Sequence, residues 1–81
     1  MEHLDVRKIT KLRNRAHEPL STRERQIVLV LSEGVTNKEI GRRLRLAEGT
    51  VKVHLHHIYR KLGIPNRTAL AVLATRALDA A

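Results

Sequence analysis

Between Thr36 and Leu62 the chain reads TNKEIGRRLRLAEGTVKVHLHHIYRKL, and its apolar residues recur at helical spacing. At about 100° per residue, Val51, Leu55, Ile58 and Leu62 fall in one narrow stripe that has to face a core. Gly49, Lys52, Val53, His56 and Arg60 point the opposite way, with Thr50, His54, His57 and Lys61 along one flank. Upstream, Ile40 and Leu44 form an i, i+4 apolar pair. Thr36 with Glu39 makes a capping box and Val35 with Ile40 a hydrophobic staple, so a helix begins at Thr36. Gly41, having no side chain, lets the following helix pack closely. Two short helices crossing steeply through a tight turn are expected, the second presenting Lys and His away from its core. That is how a small domain sets a helix into the major groove of duplex DNA.

The rest of the pattern is helical too. Residues 2–17 place Leu4, Ile9, Leu12 and Ala16 near helical spacing among Arg7, Lys8, Lys11, Arg13 and Arg15, which predicts a basic linker helix over 1–17. With few large apolar residues and no Trp or Phe, a membrane-surface role ranks lower for it. Ser21 with Glu24 is a second capping box; it opens a helix that buries Ile27, Val28 and Leu31 and stops at Gly34. After the basic helix, Gly63 and Pro65 end the pattern, and Asn66 or Thr68 caps a last helix to about Ala77. Its Leu70, Leu73, Ala74 and Ala77 can pack inward. Ala71, Val72, Thr75 and Leu78 then form a small, weakly polar face, suited to helix contact or simply mild surface. With no strand pattern or repeat, the expected fold is all-α: a four-helix domain over 18–81 preceded by the linker helix.

Composition narrows the function classes. The chain has 81 residues, a net charge of +8 and a pI of about 11.2, which point to one small domain with a polyanionic partner. Residues 36–62 hold seven basic and two acidic residues, net +5, whereas residues 18–35 are net −1. A charge run ordinarily marks a solvated face; here it is one-sided and coincides with the helix pair. There are no cysteines, so no disulfide framework or thiolate metal site exists. No apolar run approaches the roughly 18 residues of a membrane span, and a soluble, cytoplasmic setting is expected. No nucleophile sits beside a base and no glycine-rich phosphate loop is present, so no enzyme is expected. Tyr59 is the single aromatic residue, too few for stacking on single-stranded nucleic acid; its ring is expected at the core's edge. His54 and His57, i, i+3 on one flank, lack the further ligands a zinc site needs, and no metal or cofactor is expected.

The residues LSTRE (20–24), TNKEI (36–40), TVKVH (50–54) and IYRKLG (58–63) together resemble the LuxR/FixJ-type, GerE-like helix-turn-helix of bacterial transcription regulators, over about residues 18–78. The resemblance implies that the third helix, about 48–62, enters the major groove with Lys52, Val53 and His56 facing bases. It implies a symmetric dimer through the fourth helix. It places Thr36, Asn37, Lys38, Thr50, His54 and Lys61 near the DNA backbone, in agreement with the flank on the helix wheel. Ala47 stands where the family usually has a Ser cap, a loss of about 1 kcal/mol, and Gly41 where Ala is usual. His56 lies where Lys is common. The aspartates are Asp5 and Asp79 alone, with no acidic cluster, so the chain is expected to be either the output domain of a response regulator or a stand-alone regulator.

In chemical terms, Lys52 is expected to donate to guanine N7 or O6, Val53 to touch a thymine methyl, and His56 to bond a base edge or a phosphate. Lys38, Arg42, Arg43 and Lys61, with the backbone N–H groups of Thr36 and Asn37, are expected to set position on phosphates. Histidine protonation near pH 6 to 6.5 would strengthen phosphate attraction. The alternatives are a protein-interaction module docking a receiver domain or RNA polymerase, and a sigma-factor-like promoter-recognition domain.

Overall fold

In the computed structural model the described residues are 19–79, with side chains to residue 77; the linker helix expected over 1–17 lies outside them. Four helices follow one another: α1 (Thr22–Leu31), α2 (Asn37–Leu44), α3 (Glu48–Leu62) and α4 (Arg67–Asp79). No strand occurs among the described residues, and the fold is all-α as expected.

Each helix starts and stops where its sequence provides for it. Ser21 Oγ accepts from the Glu24 N–H at 3.1 Å while Glu24 Oε1 accepts from the Ser21 N–H at 2.7 Å, a complete capping box. At α2 only half of the expected box forms. Thr36 Oγ accepts from the Glu39 N–H at 3.1 Å, but the Glu39 carboxylate turns to Arg42 and Arg43 instead of back to the Thr36 N–H. Two guanidinium groups outcompete one peptide donor, because hydrogen bonds between ionised partners are the stronger ones. At α3 the N-cap is Ala47, extended at φ −65° and ψ 149°, with no side-chain bond to the helix. Gly63 ends α3 in the left-handed region at φ 68°. Asn66 Oδ1, accepting from the Ala69 N–H at 2.9 Å, opens α4.

The core draws on all four helices. Ile27, Val28 and Leu31 of α1, Ile40 of α2, Val51, Leu55, Ile58 and Leu62 of α3, and Leu70, Ala74 and Ala77 of α4 are buried, joined by Leu20. The α3 stripe is thus hidden as its periodicity required. Val35, Leu44 and Tyr59 pack against this core as half-buried neighbours. The α4 wheel is rotated slightly from expectation: Leu73 stays half-buried, whereas Ala71, assigned to the outer face, packs partly against the core.

The α2–α3 turn depends on backbone geometry. Arg45 caps α2 in the left-handed conformation at φ 59°, and the Leu46 N–H bonds the Gly41 carbonyl at 2.8 Å. A Cβ at Gly41 would run into the Leu46 carbonyl oxygen, while Val51 Cγ2 would lie at an ordinary 3.5 Å. The close approach that Gly41 permits is therefore chiefly that of the turn, rather than of the whole following helix.

Candidate nucleic-acid interface

With Val51, Leu55, Ile58 and Leu62 inside, the opposite face of α3 is carried outward by helical geometry alone. Lys52, Val53, His56 and Arg60 are exposed along it, and Gly49 and Thr50 at its start. His54 and His57 are half-buried on the flank; the His57 ring lies 6.3 Å from that of His56, centre to centre. Lys52 makes no ion pair with any described residue. Val53 is 55% exposed and Val72, on α4, 46%. Single exposed apolar residues are commonplace, but these are the large ones left bare among the described residues, and each sits on a surface expected to meet a partner.

The expected phosphate-contacting residues differ in their surroundings; Asn37, like His54, is half-buried. Thr36 and Lys38 are exposed beside the start of α2, and Thr50 beside that of α3. Arg42 and Arg43 share the Glu39 carboxylate, with Arg42 Nε on Oε1 at 2.8 Å and Arg43 Nε on Oε2 at 2.9 Å; Arg43 also reaches Glu33 at 2.6 Å. Those hydrogen bonds from Arg42 and Arg43 hold the Glu39 carboxyl down at about 2. The Arg42 side chain remains 72% exposed even so. Such exposed pairs are screened by solvent and contribute little to stability.

Lys61 departs from expectation. Its ammonium donates to Glu24 Oε1 at 2.9 Å, across 37 residues, and only 19% of its side chain is exposed. Glu24 is buried, which by itself raises its carboxyl; the Ser21 N–H and Lys61 outweigh that and leave it lowered. An isolated buried carboxylate is costly, so it draws in the nearest cation. In the chain without DNA, Lys61 is therefore engaged by Glu24, and a phosphate would have to compete with that carboxylate for it.

Arg67 was not among the expected site residues. It stands in the first turn of α4, yet donates to Asn37 Oδ1 at 2.5 Å and to the Val35 carbonyl oxygen, on either side of the α2 N-cap. Nothing in local spacing signals this contact, because it spans two helices. Among the described residues every buried side-chain polar atom has a partner.

On α4, Thr68, Ala71, Val72, Thr75 and Arg76 line a shallow, open and mostly apolar concavity of about 360 Å³. The side chain of Leu78, expected on that face, lies outside the described residues. No helix among the described residues is long and apolar enough to cross a membrane.

Comparison with known proteins agrees with the all-α fold. Residues 18–74 match the model of the family described as bacterial regulatory proteins, luxR family. The chain is similar to the transcriptional regulatory protein LiaR of Bacillus subtilis, 47% identical over 60 residues that make up 74% of this chain and 28% of LiaR. It is similar to the DNA-binding transcriptional activator DevR/DosR of Mycobacterium tuberculosis, 46% identical over 72 residues, or 83% of this chain and 33% of that protein. Among solved structures it resembles the response regulator ChrA of a heme-sensing two-component system, with 43% identity and a TM-score of 0.68, covering 74% of this chain and 30% of ChrA. The chain spans about a third or less of the length of these relatives.

Proposed function

The chain belongs to the luxR family of bacterial regulatory proteins, and on that premise we propose that it binds double-stranded DNA sequence-selectively to regulate transcription. One observation carries this: Lys52, Val53 and His56 are displayed together on the outer face of α3 while its opposite stripe is buried. With α3 in the major groove, Lys52 donates to a guanine edge, Val53 packs on a thymine methyl and His56 bonds a base edge or a phosphate. Thr36, Asn37, Lys38, Thr50 and His54 hold the DNA backbone, and Arg42 and Arg43 join them by exchanging Glu39 for phosphate oxygens.

The apolar face of α4 pairs two copies, so that two half-sites about one duplex turn apart are read together. Residues 18–81 act as the DNA-binding domain and residues 1–17 as a basic linker to it. The setting is the bacterial cytoplasm, and the partners besides DNA are an upstream regulatory domain or RNA polymerase. No catalytic chemistry or cofactor is assigned.

Mobility shifts with genomic fragments, in the absence of polymerase, test the proposal. Selective retention of particular fragments at moderate salt is expected. Equal binding to all duplexes, or to none, would overturn it.

A further inference from the structure

Arg67 reaches thirty residues back along the chain to hold both sides of the α2 N-cap: the Val35 carbonyl before Thr36 and the Asn37 side chain after it. A guanidinium carries five N–H donors and no acceptor. The Asn37 atom that meets it is therefore the carbonyl oxygen, and the –NH2 of the carboxamide is turned the other way. Asn37 is half-buried, and its chain neighbours Thr36 and Lys38 are exposed.

We infer that Arg67 is a positioning residue of the DNA interface: it fixes the start of α2 and orients the Asn37 carboxamide so that its –NH2 donates to a phosphate oxygen. The inference rests on the proposal above that this helix start meets the DNA backbone. Arg67 itself touches no phosphate. It belongs to α4, so the helix proposed to pair two copies also sets the geometry of the end that meets DNA.

The test uses the full chain and a short mixed-sequence duplex, since a backbone contact needs no operator. Affinity is measured by fluorescence anisotropy across a salt series, beside thermal melting. Arg67→Met and Asn37→Ala should each weaken binding about fivefold, and the double variant little more than either alone, because residues acting through one another are not additive. The salt slope should stay unchanged, neither residue pairing with phosphate as an ion. Arg67→Lys should not restore affinity, since an ammonium lacks the planar fork that spans two acceptors.

Asn37→Asp keeps an oxygen for Arg67 and sets a carboxylate at a helix N-terminus, so it should melt no lower than the parent yet bind DNA more weakly than Asn37→Ala. Where Arg67→Met does not fold, this variant still tests whether the Asn37 –NH2 meets a phosphate, and Arg67→Lys tests the positioning role. Losses that simply multiply, a salt slope reduced by about one in Arg67→Met, or Asn37→Asp binding as well as the parent would each overturn the inference. Failure of the parent to bind any duplex would instead remove the DNA-binding proposal, and this inference with it.

Discussion

The Lys61 ammonium lies 2.9 Å from Glu24 Oε1, joining the last turn of α3 to the first turn of α1. The same carboxylate oxygen accepts from the Ser21 N–H, so one side chain both caps α1 and pins α3. Lys61→Met would leave Glu24 buried without its cation. Breaking a fully buried pair costs about 3–5 kcal/mol; the remaining exposure of Lys61 reduces the expected loss to about 2 kcal/mol. Urea unfolding measures it, and a change below about 0.5 kcal/mol would mean the pair contributes no more than a surface one. In duplex binding the same variant should keep the parent's salt slope. A slope lower by about one would return Lys61 to the phosphate contacts.

Acid should loosen the fold over a definite range. The Glu39 carboxyl sits at about 2 in the folded chain against an ordinary 4.5, and Glu24 is lowered as well. A carboxyl held lower when folded adds stability above its unfolded value and loses it as pH falls through the folded one. Melting temperature should therefore decline as pH drops from about 4.5 toward about 2. Glu39→Gln should make that decline shallower. A melting temperature level throughout this range would contradict the role given to both ion pairs.

Lys52→Ala should lower affinity for a selected operator by about 1–3 kcal/mol and flatten discrimination at one base position, as expected of a contact to a base edge. Lys38→Ala should weaken all duplexes alike and reduce the salt slope by about one. Binding measured on operator variants at several salt concentrations separates the two. A uniform effect of Lys52→Ala on every sequence would remove it from the base-reading group.

Ala47→Ser should stabilise the domain by about 1 kcal/mol. Ala47 already has the extended backbone of an N-cap and is exposed, so only the hydroxyl is missing. For a domain of this size the gain corresponds to a rise of about 4–8 °C in melting temperature. A fall would show that the hydroxyl cannot reach the first-turn N–H groups of α3.

Much of this architecture was legible before any coordinates, for reasons visible in particular residues. Val51, Leu55, Ile58 and Leu62 repeat with the period of a helix, so their burial also dictates that Lys52, Val53 and His56 emerge opposite. Ser21, Gly63 and Asn66 act within a few residues of themselves, which keeps their capping roles local. The pairing of Lys61 with Glu24 and of Arg67 with Asn37 was hidden, because periodicity says which side a residue faces and not which helix lies there. Glu39 was ambiguous for another reason: the Thr36 N–H, Arg42 and Arg43 all lie within its reach, and only the energetic advantage of two charged donors decides among them. Gly41 answers to the Leu46 carbonyl, a backbone atom whose place depends on Arg45 adopting a left-handed cap.

Val53 stands bare in water on a face it shares with Gly49, Lys52, His56 and Arg60. Covering it against a base releases no counterion, so that share of the affinity outlasts the screening that strips away phosphate contacts. It leaves a calorimetric trace as well, a more negative heat capacity of association for sites that offer a methyl group than for those that do not.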